Sequence, residues 1–448
     1  MTTPPDGAAT TAQAAGVGPT APPPRDDEAD SMLRRLAQAI GRGNPLVIAL
    51  SFLLAFFIGS VLIVVADQDV REAAGYFFAR PSDTFRAVWD SVTQAYVAMF
   101  RGAIFDAPSY SHRADSIREA GGSGTYVLFP ALAAGFRPLT ETLTVATPLI
   151  IASTGMAVGF RAGLFNIGGT GQLIMGAAAA GFVGFTWSLP PVIHLLVALA
   201  VGTSVGGLWG GIAGFLKARF EANEVISTIM LNWIATYLLF FALKTELFTG
   251  ANKSQPTSPA VKPTAQLPQI LGPQFRLHLG IVLAIAAVVF LWWLMNRSTA
   301  GFRFRAVGSN PRAAQVAGIS TSRASFGVML VAGALVGLAG AVHVLGTEHR
   351  LTEGIAGSLG FDAITVALLG ASGPVGILLA GLLFAALSTG GRFMETTQGV
   401  PLDLVQVIQA LVVLFIAAPP LVRAIFGMNR TRRPGRPQTR VTTTGENR

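Results

Sequence analysis

The 448-residue chain contains no cysteine and few charged side chains. Without cysteine there can be no disulfide, no thiol nucleophile and no cysteine-ligated metal or iron–sulfur site. The five histidines are scattered, so we expect no metal site. Charged residues make up 12% of the chain, whereas soluble domains carry about 25%. Because 51% of the residues are hydrophobic, these deficits indicate a membrane protein.

The chain also lacks the phosphate-binding loop Gly-x-x-x-x-Gly-Lys-Ser/Thr. If ATP drives this protein, another subunit must therefore hydrolyse it. The net charge of +9 is carried by tails and short loops between hydrophobic runs. This is the distribution of basic residues on the cytoplasmic side of membrane proteins, so we expect no nucleic-acid partner.

Long hydrophobic runs predict an all-α polytopic membrane protein with about 8–10 transmembrane helices. The runs broken by Ala371-Ser-Gly-Pro374 are short, and they form either two tilted spans or a re-entrant hairpin. The predicted spans are 45–66, 143–160, 170–187, 192–216, 225–243, 279–295, 324–345, 361–370, 375–387 and 402–418.

The composition divides the chain into three parts. Residues 1–43 predict a disordered cytoplasmic tail, and residues 423–448 a basic disordered cytoplasmic tail. Residues 44–422 form the transmembrane domain, with an extracytoplasmic segment at 67–138. Within that segment an amphipathic stretch is expected to lie at the membrane interface or to pack on the bundle. The bias of Lys and Arg predicts that both termini lie in the cytoplasm.

Two glycine-rich breaks, at 163–171 and 353–362, interrupt the spans at matching places on opposite faces. This placement predicts an inverted repeat of spans 2–5 and 7–10, an arrangement that frames a central pathway in many transporters. In a protein with such a repeat, one half of the helices is expected to rock against the other during transport.

Polar residues within the spans are few, and those near the breaks are candidates for the pathway. The amides of Asn166, Gln172 and Asn232 either bond between helices or line a path, and the sequence leaves both readings open. His194 and His343 lie near span ends and are expected to be interfacial. The absence of a charged cluster across the spans argues against an ion-driven pump. The candidate pathway residues are Asn166, Gly168, Thr170, Gln172, Asn232, Phe361 and Asp362.

Two short polar protrusions are predicted on the cytoplasmic side, one in each half. The first is the turn 217–224, and the second is a helix capped by Asn310, begun by Pro311 and stopped by Gly318. Their paired placement favours docking of a soluble partner. The arginines could instead anchor to anionic lipid heads, and the glutamates could simply suit the start of a helix. The candidate docking residues are Lys217, Arg219, Glu221, Asn223, Glu224, Arg303, Arg305, Asn310 and Arg312.

Gly202-Thr-Ser-Val-Gly206 matches the Gly-x-Ser-x-Gly pattern of a hydrolase nucleophile. It lies inside a predicted span, in a run of small residues that continues beyond it. Close helix packing through small residues explains the pattern better than catalysis on Ser204, so we assign no catalytic residue.

Four strings in order resemble the signatures of ABC importer permeases of the branched-chain amino acid, simple sugar and nucleoside group. They lie between about residues 139 and 418, and the first two are most similar to the nucleoside branch, which works with a purine nucleoside lipoprotein. The strings are Arg161-Ala-Gly-Leu-Phe-Asn-Ile-Gly-Gly-Thr-Gly-Gln-Leu-Ile-Met-Gly176, Glu224-Val-Ile-Ser-Thr-Ile-Met-Leu-Asn232, Arg305-Ala-Val-Gly-Ser-Asn-Pro-Arg-Ala-Ala314 and Gly360-Phe-Asp-Ala-Ile-Thr-Val-Ala-Leu-Leu-Gly370.

The resemblance implies a permease subunit that is not an enzyme and that pairs with a second permease. Two cytoplasmic subunits would bind ATP and Mg, an extracytoplasmic lipoprotein would deliver the solute, and this chain would bind no cofactor. The coupling loops would be 217–224 and 300–318. The solute would be a nucleoside or a simple sugar. An ion-gradient-driven secondary transporter and, more remotely, an intramembrane hydrolase are the alternatives.

Overall fold

The computed structural model describes residues 45–249 and 256–426. The predicted amino-terminal tail and most of the predicted carboxy-terminal tail lie outside these ranges. Within them the chain is helical, and its one isolated β-bridge pairs Gln269 with His278. In chain order the helices are α1 (Pro45–Ala66), α2 (Gln68–Gly75), α3 (Pro81–Ala103), α4 (Ala107–Glu119), α5 (Thr125–Gly135), α6 (Arg137–Arg161), α7 (Gly169–Thr186), α8 (Pro191–Phe220), α9 (Glu224–Ala242), α10 (Glu246–Thr249), α11 (Gly280–Arg297), α12 (Thr299–Ser309), α13 (Pro311–Val316), α14 (Thr321–His343), α15 (Leu359–Leu369), α16 (Pro374–Gln398), α17 (Leu402–Ala417) and α18 (Pro419–Ile425).

Seven helices of the described chain are long and apolar enough to cross a membrane: α1, α6, α8, α9, α11, α14 and α16. Helix α14 continues through a π-helical turn at Val344–Glu348. The remaining predicted spans correspond to α7, which has 18 residues, and to the shorter apolar helices α15 and α17. The predicted all-α polytopic membrane fold is confirmed.

Helices α15 and α16 form a hairpin of unequal arms. Helix α15 has 11 residues, or about 16 Å at 1.5 Å per residue, which is well short of about 30 Å of hydrocarbon. Helix α16 has 25 residues and is long enough to cross. The turn between them places Ala371 and Ser372 at positive φ, 48° and 53°. The two short runs in the sequence are therefore one half-length helix followed by one full-length helix.

Glycines bring α8 and α14 together at the centre of the bundle. A Cβ atom added to Gly337 would lie 2.7 Å from Gly206 Cα, and one added to Gly210 would lie 3.0 Å from Gly333 Cα. Backbones this close leave no room for larger side chains. The Ser204 hydroxyl donates to Ala200 O of its own helix, at 2.7 Å. The Gly-x-Ser-x-Gly pattern thus lies where α8 and α14 pack closely together.

Helix α3 packs on the bundle, which is one of the two placements expected for this amphipathic stretch. Its buried positions are small residues, and the Tyr96 hydroxyl donates to Phe56 O of α1 at 2.6 Å. Its other side exposes Phe85 and Trp89. Helices α4 and α5 then form a hairpin around Ala114, Val127 and Ala131 before α6 begins.

Contacts between loops distinguish the two ends of the bundle. At the 217–224 end, the loop after α6 contacts the start of α9 and helix α12, through Ile167 N to Thr228 Oγ1 (3.3 Å) and the close approach of Gly163 to Gly308. At the opposite end, the segment before α11 meets the segment after α14, with Leu267 N donating to Leu345 O at 3.0 Å. The two sets of contacts therefore lie at opposite ends of the bundle.

Candidate functional site

The turn between α8 and α9 is held by its own side chains. Glu221 ends α8 with φ 54°, in the left-handed region. The Asn223 side chain accepts from Val225 N at 2.9 Å and caps α9. Lys217 Nζ lies 2.6 Å from Glu224 Oε2, and both side chains are partly buried. Arg219 is exposed. The predicted turn is thus a compact loop held by contacts within the chain.

Helices α12 and α13 form the second protrusion. The Ser298 hydroxyl caps α12 by accepting from Gly301 N at 2.9 Å, and Asn310 Oδ1 caps α13 by accepting from Ala313 N at 3.1 Å. The chain leaves α13 through Gly318 at φ 80°. The helix predicted from Asn310, Pro311 and Gly318 is therefore present. Its side chains Arg303, Arg305, Asn310 and Arg312 are all exposed.

The two protrusions lie at the same end of the bundle, and the loop 162–168 connects them. A Cβ on Gly308 would lie 2.6 Å from Ala162 C, so α12 rests directly on this loop. The same loop is bonded to α9 through Thr228. Both protrusions therefore contact one short segment of backbone, which leads into α7.

The first break, at 163–171, is closed by amide side chains. Asn166 and Gln172 exchange two hydrogen bonds of 3.1 Å, and Asn166 Oδ1 also accepts from Gly168 N at 3.0 Å. Asn232 on α9 accepts from Gly171 N at 2.8 Å and donates to Ile167 O at 2.9 Å. The three amides are buried. Of the two readings left open by the sequence, the observed contacts are those of the hydrogen-bonding one.

The second break meets the first at the centre of the bundle. A Cβ on Gly360, at the start of α15, would overlap Oγ1 and N of Thr170, at the start of α7. Thr170 Oγ1 is buried and has no hydrogen-bond partner within the described residues. The amino termini of two helices that start inside the bundle thus touch. Discontinuous helices of this kind surround the solute sites of many transporters.

A cavity of about 260 Å³ opens beside the second break, toward the end of the bundle opposite 217–224. Helices α6, α15, α16 and α17 and the segment 344–359 form its wall. Of the residues that the sequence singled out for the pathway, only Asp362 lines it; the neighbouring Phe361 is 56% exposed. The lining also includes Thr144, Pro148, Arg276, His343, Glu348, Ser358, Phe384, Ser388, Arg392 and Gln409.

Sequence reasoning missed most of these lining residues. Arg276 lies in a loop, and Arg392 lies beyond the end of the span predicted at 375–387, so neither was assigned to the membrane interior. His343 was read as interfacial. In the structure Arg276 Nη1 lies 3.4 Å from Glu141 Oε2, and His343 Nε2 lies 4.0 Å from Glu348 Oε1. The Ser358 hydroxyl donates to Asp362 Oδ2 at 2.6 Å.

The cavity rim is built on His278. This ring is fully buried between Gly280 and Gly346, whose added Cβ atoms would each lie 2.6 Å from it. Its Nδ1 accepts from Gly280 N at 3.1 Å, and its Nε2 lies 3.2 Å from Thr347 Oγ1. Burial, with smaller effects of His349, His343 and Arg276, lowers the pKa of His278 from 6.5 to about 4. The ring is therefore neutral at physiological pH and fills the space between Gly280 and Gly346.

Across residues 45–249 and 256–426, no cluster of three or more His, Asp or Glu side chains has the geometry to hold a metal ion. Fold and cavity together define a class: polytopic α-helical membrane proteins with a half-length helix beside a polar cavity.

The chain belongs to the family described as branched-chain amino acid transport system / permease component, whose profile matches residues 139–417. Members of this family are transport subunits, and the chain is a permease subunit of an ABC importer rather than an enzyme. The match begins at α6, so helices α1–α5 lie outside it.

Curated relatives agree with this assignment. The guanosine ABC transporter permease protein NupP of Bacillus subtilis is 41% identical over 288 residues, which are 64% of this chain and 83% of NupP. The glucose ABC transporter permease protein TsgB13 of Haloferax volcanii is 38% identical, over 62% of this chain and 75% of TsgB13. The nucleoside ABC transporter permease protein NupB of Lactococcus lactis is 34% identical, over 69% of this chain and 88% of NupB. No solved structure matches the chain.

Proposed function

We propose that this permease carries a nucleoside across the bacterial plasma membrane, driven by ATP hydrolysis on separate subunits that bind ATP and Mg. The observation that carries the proposal is the 41% identity to a guanosine permease over 83% of that protein. The 34% identity to a nucleoside permease supports the same solute class. A simple sugar is the second candidate, because a glucose permease is 38% identical.

The ATPases dock at the 217–224 end, which we place in the cytoplasm together with both termini. Three features support this placement. The two protrusions are rigidly capped, they converge on the loop 162–168, and they expose apolar side chains beside the charged ones. Phe220 is 66% exposed, Phe302 59% and Val316 92%. Exposed apolar groups flanked by charges suit a protein partner better than water alone.

A second, different permease completes the membrane-spanning unit. Bacillus subtilis contains two guanosine permease proteins, NupP and NupQ, and this chain is 41% identical to the first and 27% to the second. The nucleoside permease proteins NupB and NupC of Lactococcus lactis show the same inequality, 34% and 25%. Such pairs support a heterodimer. The extracytoplasmic solute-binding lipoprotein then docks at the opposite end, over the cavity.

The experiment is uptake of radiolabelled guanosine by cells that express the complete importer, compared with Arg219→Glu combined with Arg312→Glu. We expect these reversals to abolish uptake and co-purification of the ATPases, because two exposed arginines change sign on the docking surface. The control reverses two exposed charges of α4, Arg113→Glu with Glu119→Lys, and should transport normally.

Energy coupling separates the proposal from an ion-driven transporter. In vesicles supplied with ATP, uptake should persist when ion gradients are collapsed. Uptake that is lost under those conditions, or that survives the charge reversals with the ATPases still bound, contradicts the proposal.

A further inference from the structure

The cavity beside α15 carries a balanced set of charges. Arg276 and Arg392 contribute two positive side chains to its wall, and Glu348 and Asp362 contribute two negative ones. Their formal charges cancel, and the His343 ring adds a further polar group. A neutral solute therefore leaves the charge of the cavity balanced, whereas an anionic solute would add a negative charge without a matching excess of positive charge.

Several polar groups of the wall are not used by the protein itself. The side chains of Arg392, Ser388 and Gln409 make no hydrogen bond or ion pair with any other described residue. The Asp362 side chain accepts only from Ser358, through one carboxylate oxygen. Polar groups that line a cavity are normally satisfied by water or by a ligand. The cavity therefore presents free donors and a free acceptor to whatever occupies it.

Part of the lining is apolar. It includes Pro148 and Leu149 of α6 and Phe384 of α16, and Phe384 is 4% exposed. A small solute in the cavity therefore meets both hydrogen-bonding groups and hydrocarbon. This combination suits a molecule that has hydroxyl groups and an apolar face, and the volume of about 260 Å³ suits a small solute rather than an oligomer.

We propose that this cavity is a holding site for the transported solute within the permease, selective for neutral nucleosides or hexoses over their phosphorylated forms. Asp362 and Ser388 bind hydroxyl groups, and Arg392 and Gln409 bind carbonyl or ring acceptors. The proposal rests on the proposed transport function and adds a site that the solute occupies before it passes the contact of Gly360 with Thr170. No residue of the first break touches the solute at this stage.

The test uses the cysteine-free chain as a background. The variant Ser388→Cys is assembled in the complete importer in membrane vesicles without ATP and modified with a small methanethiosulfonate reagent. At a guanosine concentration of about ten times its dissociation constant, occupancy should slow modification roughly 10-fold. Glucose at saturating concentration tests whether a hexose protects the same site. Guanosine monophosphate should give no protection. The matched control Ser116→Cys, on exposed α4, should react equally in all cases.

The outcomes separate the site from the transport function. If the importer takes up guanosine with ATP but the Ser388→Cys thiol reacts equally with and without every neutral solute, the holding site is wrong and the transport function stands. Protection by the monophosphate and not by neutral solutes overturns the stated selectivity. If Ser388→Cys fails to assemble, Gln409→Cys on the neighbouring wall gives the same measurement.

A kinetic measurement gives an independent readout. Asp362→Asn and Arg392→Gln each remove a charged hydrogen-bonding group from the cavity, and each should raise the KM of uptake about 10-fold. Arg350 and Glu353 lie in the segment 344–359 but do not line the cavity. The variants Glu353→Gln and Arg350→Gln should therefore leave the KM unchanged. Equal KM values in all four variants contradict the proposal.

Discussion

The two glycine-rich breaks occupy matching places in the chain and are built in opposite ways. The first, at 163–171, is sealed by the amides of Asn166, Gln172 and Asn232, which satisfy its backbone and one another. The second, at 353–362, is followed by a half-length helix and borders a cavity at which the side chains of Ser388, Arg392 and Gln409 have no partner in the described chain. A break between membrane helices can thus be closed by hydrogen bonds or can border a cavity, depending on the side chains around it.

In the proposed transport cycle the difference gives each break its own role. The sealed break, which lies against the two protrusions, would move with them. The open break would receive the solute at the far end. A push at the 217–224 end would then reach the cavity through the contact of Gly360 with Thr170, where the starts of α7 and α15 touch.

The largest expected effect is at the sealed break. Asn232→Ala leaves Gly171 N and Ile167 O without their partners in a buried setting, and two lost bonds of this kind cost roughly 2–4 kcal/mol. We expect that loss in the free energy of unfolding, measured by denaturant titration of the purified protein. Asn296→Ala, whose amide bonds only to Trp292 O of its own helix, is the matched control. Equal stability of the two variants would mean that the amides do not hold the first break closed.

At the open break, the expected effect depends on pH. Because the folded state holds the pKa of His278 at about 4, the unfolded chain takes up a proton below pH 6.5 that the folded protein does not. Stability is therefore full above pH 6.5 and falls as the pH drops toward 4, by an amount on the order of 3 kcal/mol. Below pH 4 both states are protonated and the loss levels off.

Thermal unfolding between pH 7 and pH 4 measures this effect of His278. The variant His278→Asn keeps an acceptor for Gly280 N without titrating, so it should lose this part of the pH dependence. His112→Asn, at an exposed position of α4, should keep it. A wild-type profile that matches the His278→Asn profile would show that the buried ring does not support the rim of the second break.

The smallest effect is expected where the breaks touch. Gly360→Ala places a methyl group against the backbone of Thr170, which cannot rotate away, and overpacking of this kind costs about 1–3 kcal/mol. Gly354→Ala, in the same segment, meets nothing within 4 Å and should change stability by less than about 0.5 kcal/mol. Denaturant titration of both variants is the measurement. If Gly360→Ala is as stable as Gly354→Ala, the two breaks are not in the contact described.

Local sequence signals predicted much of the fold. Hydrophobic runs located the helices because a lipid-facing segment has to be apolar over its whole length. Asn310, Pro311 and Gly318 predicted α13 because capping depends only on neighbouring residues. The half-length α15 was harder to assign, because a ten-residue run does not reveal where in the membrane it starts.

The candidate site was less predictable, because the cavity collects residues that are distant in the chain. Arg276, Glu348, Asp362 and Arg392 come from four elements, and no local pattern relates them. The amides of the first break were recognised as unusual in a membrane, yet hydrogen bonding and pathway lining place the same residue types in the same positions. In the structure Asn166 and Asn232 make hydrogen bonds whose partners the sequence alone could not specify.

The central claim is that the protrusions and the cavity face opposite sides of the membrane. Single thiols introduced as Ala222→Cys, Ala313→Cys and Glu353→Cys into the cysteine-free chain can be labelled in intact cells with a membrane-impermeant maleimide. We predict labelling of the Glu353→Cys variant at once, and of the Ala222→Cys and Ala313→Cys variants only after the cells are permeabilised. Labelling of the Ala222→Cys and Ala313→Cys thiols in intact cells would contradict the account.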